Sequence, residues 1–255
     1  MGIIRTLAVL FFLSSVAFHV GAGETCNKHL PLGVLPGANQ VLCHDGYAAG
    51  YSYELKIPLW AAYRITNDSA NGRNVDRQDD FRVNPDIPEQ YSSRKSDYRG
   101  SGYDRGHMAP SGSIDYSESA NSETFYLTNM VPQRPGFNRD GFGHEGLWGF
   151  LENEVRDWVR ERDDIYVVSG AIASGRSTIG RGVAVPEAFY KVVIDLQEGE
   201  SIAFLMPHED DLRDSAEEFI VSIDEIEAAS GLDLFSRIVD AQEEVLESYK
   251  SPQLW

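Results

Sequence analysis

The order of extended and helical signals along this 255-residue chain limits its fold more than any other feature. Five segments, 60–66, 124–131, 165–171, 188–196 and 201–207, are rich in β-branched and aromatic residues and read as strands. The last two flank Gln197-Glu198-Gly199-Glu200, a hairpin-like connection. Between the second and third, Leu147, Phe150, Leu151, Val155, Trp158 and Val159 recur at spacings of three and four, as one apolar helix face requires. Acidic amphipathic stretches at 210–229 and 240–249 predict C-terminal helices. Strands and helices do not alternate in βαβ fashion, so the expected class is α+β, with a largely antiparallel central sheet flanked by helices. The polar, turn-rich stretch 67–102 predicts a long ordered loop.

The first 23 residues stand apart from that pattern. Arg5 precedes an apolar run over 7–20, and Gly21, Ala22 and Gly23 follow. This order is that of a secretory signal peptide, and the run is short for a membrane span. The expected organisation is a signal peptide at 1–23 and a single domain at 24–255, exported to the periplasm or the extracellular medium. No later stretch is long and apolar enough to predict a membrane helix. Cys26 and Cys43 are the only cysteines. In an exported chain such a pair predicts one disulfide closing an N-terminal loop, and its spacing does not suit zinc.

The formal net charge of −18 argues against a nucleic-acid partner, since phosphate backbones are usually met by basic surface. Against that stands Tyr98-Arg-Gly-Ser-Gly-Tyr-Asp-Arg-Gly-His-Met-Ala-Pro110. Within it, Asp104 is placed to orient local structure and the Arg105 guanidinium suits a phosphate. Gly106 permits an unusual backbone angle, and His107 can serve as a general base. Downstream lies Phe125-Tyr-Leu-Thr-Asn129-Met-Val-Pro132-Gln133, with Asn138 five residues on.

These two blocks together resemble the DNA/RNA non-specific endonuclease family, which includes secreted bacterial sugar-non-specific nucleases and mitochondrial endonuclease G. Val167-Val-Ser-Gly170 and Val185-Pro-Glu-Ala-Phe-Tyr-Lys191 resemble its later core strands, so the likeness runs over roughly 60–207. The resemblance implies a ββα-metal (His-Me finger) active site, in which a hairpin carries the histidine and the following helix carries metal-site residues. It implies His107 as the base, Asn138 as the protein ligand of Mg²⁺ (Mn²⁺ being the alternative ion), and Asn129 as a hydrogen-bonding group near the reacting phosphate. A helix glutamate holds a metal-bound water in the family, usually four residues after a tryptophan. That spacing from Trp148 selects Glu152, although the tryptophan lies further from Asn138 than the pattern expects. Glu154 and Glu145 remain alternatives. The segment Arg77-Gln-Asp-Asp-Phe-Arg82 resembles one that supplies a phosphate-binding arginine, and its loose register leaves Arg77 and Arg82 sharing that role.

The expected function is therefore a secreted, Mg²⁺-dependent endonuclease that hydrolyses DNA and RNA to 5′-phosphate products. Two rivals remain at the level of sequence. One is a secreted binding protein of the same fold, catalytically weak, which the acidic charge and the displaced glutamate favour. The other is a phosphoesterase acting on small nucleotides.

Overall fold

The computed structural model describes residues 24–33, 35–71, 74–139, 146–210, 212, 216–235, 238 and 240–255. The signal-peptide expectation for 1–23 and the alternative Glu145 both lie outside the described residues. The strands are β1 (Gln40–Cys43), β2 (Ala48–Ser52), β3 (Ile57–Thr66), β4 (Asp104–His107), β5 (Met130–Gln133), β6 (Asp164–Ile172), β7 (Thr178–Ile179), β8 (Val183–Ala184), β9 (Ala188–Asp195), β10 (Glu200–Pro207) and β11 (Ile220–Val221). The helices are α1 (Glu24–Asn27), α2 (Asn67–Asn71), α3 (Lys95–Tyr98), α4 (Glu118–Glu123), α5 (Pro135–Asn138), α6 (Leu147–Arg162), α7 (Ile223–Ser230) and α8 (Asp240–Glu247).

Seven strands form one sheet in the order β1-β2-β3-β6-β9-β10-β11, and every neighbouring pair is antiparallel. The central strands are buried on both faces, which explains why their sequences are nearly continuous in apolar residues. Alternate residues of β6 and β9 separate cleanly: Ile165, Val167, Phe189 and Val193 enter one core layer, while Tyr166, Val168, Tyr190 and Val192 enter the other. The long helix α6 covers the first face through Leu147, Trp148, Leu151, Val155, Trp158 and Val159. The second face is covered by Ile223 and Ile226 of α7, Leu246 of α8, and Cys26 and Leu30 near the N-terminus. The architecture is α+β, as expected.

Several expectations need correction. The segment 124–131 is not one strand: a 3₁₀ turn at Leu127–Asn129 interrupts it, Tyr126 makes only an isolated bridge to Arg82, and β5 pairs with β4 instead of the main sheet. Apolar content alone could not separate these states. Among the described residues of the 210–229 stretch, the α-helix begins at Ile223, where Ser222 and Glu225 form a capping box; a 3₁₀ turn at Ala216–Phe219 and β11 precede it. Two sheet strands, β1 and β2, carried too little β signal to predict, because β2 (Ala-Ala-Gly-Tyr-Ser) is mostly small residues. The predicted loop over 67–102 contains α2, α3 and a 3₁₀ turn at Glu89–Tyr91. The Cys26–Cys43 disulfide is formed, with Cα atoms 5.0 Å apart, and it ties α1 to the end of β1. No helix among the described residues is long and apolar enough to cross a membrane.

Candidate active site

A two-stranded hairpin outside the main sheet carries the motif. β4 and β5 pair antiparallel, with Asp104 opposite Gln133 and His107 opposite Met130. Gly106 does not adopt a positive φ, which corrects the reason expected for it. A Cβ at Gly106 would lie 1.9 Å from Oε1 of Gln133, so glycine is required by close approach across the hairpin. The left-handed positions are instead Gly100 and Gly102, at φ 71° and 83°, in the turn that leads into β4.

Past the hairpin end the chain is fixed by Asn129. Its Nδ2 donates to the carbonyls of Ala109 (2.9 Å) and Thr124 (2.8 Å), and its Oδ1 accepts from the Ala109 N–H (2.9 Å). The residue is fully buried. The amide is thus turned into the protein, where it holds the segment just after His107. These bonds give it a positioning role beside His107.

His107 is 9 % exposed, and its Nε2 is buried without a hydrogen-bond partner. Phe125 meets the imidazole edge-on, with ring centroids 5.0 Å apart and planes at 87°, and Phe81 lies at 5.8 Å. Burial, reinforced by the nearby Arg77 and Arg105 charges, lowers its pKa to about 3, so the ring is neutral at ordinary pH. Both guanidinium groups are held over rings of the same cluster. Arg105 sits 4.0 Å from the Phe81 centroid and Arg77 sits 4.7 Å from that of Phe125. Arg77 also bonds Asp79 and Ser111. Arg82 does not share its position: it bonds Asp80 and the Ser122 carbonyl, lies over Tyr126, and acts on His44. Of the two candidate arginines, the fold brings Arg77 to His107 and Arg82 to His44.

Asn138 ends α5, whose Phe137 is fully buried against Trp148 and Phe189. Its Nδ2 donates to Asp104 (3.1 Å), which also accepts from Arg139 (2.6 Å). Asp104 therefore orients Asn138 by engaging the nitrogen end of the amide, leaving the oxygen end as the ligand it can offer a cation. Trp148 joins α6 to the hairpin, donating from Nε1 to the His107 carbonyl at 3.2 Å. One turn along, Glu152 lies near Trp148 and feels the charges of Lys191, Arg156 and Arg77. Burial pushes its carboxyl upward against those opposing charges. Arg77 is thus a common neighbour of His107 and Glu152. An oxygen-only set of one amide and one carboxylate fits a hard cation that keeps most of its waters.

Two contributors escaped the sequence reading. Arg156 follows Glu152 by four residues, the spacing that places side chains on one helix face, and that interval was the available signal. Lys191 is fully buried between its neighbour Ser169 (2.8 Å) and the Trp148 ring (4.0 Å). A lone cation inside Phe189-Tyr-Lys-Val-Val193 was its signal. Beside the hairpin, a pocket of about 370 Å³ is lined by Lys95, Tyr98, Arg99, Tyr103, Asp104 and Arg105. It brings three basic side chains together on a chain that is acidic overall.

Comparison with known proteins bears directly on this arrangement. Residues 23–241 match the DNA/RNA non-specific endonuclease family. The chain belongs to this family. It is 34 % identical over 222 residues to nuclease C1 of Cunninghamella echinulata var. echinulata, covering 80 % of this chain and 86 % of that protein. It is 33 % identical over 214 residues to mitochondrial endonuclease G of Homo sapiens, covering 78 % and 70 %. Its fold matches a chain in the crystal structure of the EndoG/EndoGI complex with a TM-score of 0.76 and 30 % identity, over 88 % of this chain and 96 % of that one. The hairpin–helix unit of β4, β5 and the helices after it is the ββα-metal finger of this family member, and the family's nucleases are metal-dependent.

Proposed function

We propose that this protein is a secreted endonuclease that cleaves DNA and RNA with Mg²⁺, leaving 5′-phosphate ends. The observation that carries the reading is the His107 imidazole: buried, neutral, unpartnered at Nε2 and flanked by the guanidinium groups of Arg77 and Arg105. A binding protein of the same fold has no use for that combination. In hydrolysis His107 takes the proton of the attacking water, while Arg77 and Arg105 hold the anionic phosphate beside it. The phosphate's own charge offsets the two arginines, so substrate binding raises the proton affinity of His107 and strengthens the base when it is needed. Asn138 and Glu152 would hold the cation, Glu152 through water. Once bound, Mg²⁺ supplies positive charge to the reacting phosphate and acidifies its water.

Contacts to phosphate carry no base identity, which supports action on both nucleic acids. Basic groups at Lys95, Arg99 and Arg105 give a strand somewhere to lie on a chain that is acidic overall. Secretion is supported by Arg5, the apolar run over 7–20, the small residues at 21–23, and the disulfide that follows. The test is incubation of the purified protein with plasmid and with RNA, in Mg²⁺ and in EDTA, followed by ligation of the products without kinase treatment. Both substrates should be cut only with Mg²⁺ and their ends should ligate. An intact plasmid and RNA in Mg²⁺ would overturn the reading.

A further inference from the structure

On the sheet face opposite the hairpin, the C-terminal helices gather carboxylates that the active site does not use. Ligand oxygens of Asp224, Glu227 and Glu247 all lie within 4.8 Å of one another, and so do those of Asp233, Glu243 and Glu247. Two oxygens bound to one Ca²⁺ at about 2.3–2.6 Å can be no more than roughly 5 Å apart, so each triad fits inside a single coordination sphere. Glu247 belongs to both triads. It is 8 % exposed, and its Oε1 is buried with no hydrogen-bond partner. Among the described residues, the charged groups acting on it are acidic: Glu227, Glu243, Asp224 and Asp233. A carboxylate oxygen withdrawn from water without a donor, among like charges, is costly unless a cation or a proton meets it, and burial with these neighbours raises its pKa to about 8.

The backbone around the cluster is anchored. Ile223, Ile226, Leu234, Phe235 and Leu246 are buried in the second core layer, directly beneath the acidic groups in sequence. Glu227 also accepts the Leu234 N–H at 2.5 Å, which ties α7 to the segment after it. The carboxylates therefore converge because the fold holds their three segments together.

We propose that this cluster binds one Ca²⁺ at Glu247, through the triad it forms with Asp224 and Glu227 from α7 or the one it forms with Asp233 from the following segment and Glu243 from α8. Several carboxylates and no nitrogen or sulfur suit Ca²⁺, which accepts six to eight oxygens in flexible geometry; Mg²⁺ demands a near-ideal octahedron. The ion joins α8 to α7 or to the segment after α7 and stabilises the fold, and the sheet separates it from His107 and Asn138.

The test uses the mature protein carrying Asn138→Ala, which removes the active-site metal ligand, stripped with EDTA and titrated with CaCl₂. Calorimetric titration should count one ion per chain. The Tm should climb by about 3–6 °C for each tenfold rise in free Ca²⁺ above Kd. Adding Glu247→Gln should abolish both the binding heat and the climb, with a Ca²⁺-free Tm no lower than the parent's, since a repelled charge is gone. If that variant does not fold, Asp224→Asn with Asp233→Asn, both exposed, should give the same loss. A Tm indifferent to Ca²⁺ in the parent, or a climb that survives these substitutions, would overturn the site. An equal climb with MgCl₂ would overturn its assignment to Ca²⁺.

Discussion

Replacing Asn129 by alanine separates two roles for this residue, positioning the chain beside His107 and contacting the substrate. The substitution removes three hydrogen bonds to the chain and leaves the Ala109 N–H and the carbonyls of Ala109 and Thr124 without their partner in a fully buried site. At about 1–3 kcal/mol for each buried group left unsatisfied, the sum is roughly 3–5 kcal/mol after partial relaxation. For a domain of this size that lowers Tm by about 8–15 °C. The assay is thermal and urea unfolding in EDTA, beside cleavage measured well below the transition. Asn138→Ala is the control: partly exposed, it should keep Tm within a few degrees and lose cleavage. An Asn129→Ala protein with wild-type Tm and no cleavage would refute the positioning role and return Asn129 to the substrate.

Arg77→Ala should reduce kcat/KM by at least tenfold more than Arg82→Ala, since only Arg77 neighbours both His107 and Glu152; equal losses in steady-state cleavage would contradict this. Reducing the Cys26–Cys43 bond, which spans 17 residues, should destabilise by about 3 kcal/mol in urea and leave kcat unchanged, because α1 lies away from the hairpin. Burial lowers the His44 pKa to about 4 from an unfolded value near 6.5. The unfolded chain therefore binds this proton first as pH falls, so the stability due to neutral His44 is complete above about 6.5 and lost towards pH 4. The rise in urea midpoint from pH 4 to 6.5 should accordingly be smaller in His44→Gln than in wild type, and an unchanged slope would count against it.

The sheet centre was readable because β3, β6, β9 and β10 are largely buried on both faces and so write nearly continuous apolar runs into the sequence. β1 was not, being only four residues long, and neither was β2, where small residues pack tightly without a β-branched signature: a Cβ at Gly50 would enter the Trp60 ring. Of the site, Asp104 to His107 and Asn138 were legible as motif. The inward turn of Asn129 was not, because a side chain's direction depends on the 3₁₀ turn that interrupts 124–131. The division between Arg77 and Arg82 was likewise hidden. Five residues apart in an irregular segment, they have no period from which to read a face. Glu152 was chosen by its interval from Trp148, and the same helix supplied the unread partner Arg156 at the next turn.

The most direct measurement is the nicking rate of supercoiled plasmid in saturating Mg²⁺ by wild type and by His107→Ala. The side chain packs against Phe125 and Phe81 at the edge of the core, so the variant should fold, which unfolding in EDTA verifies. Loss of a positioned general base predicts a fall of about 10²–10⁴-fold. A folded His107→Ala protein that nicks plasmid within a few-fold of the wild-type rate would contradict the account.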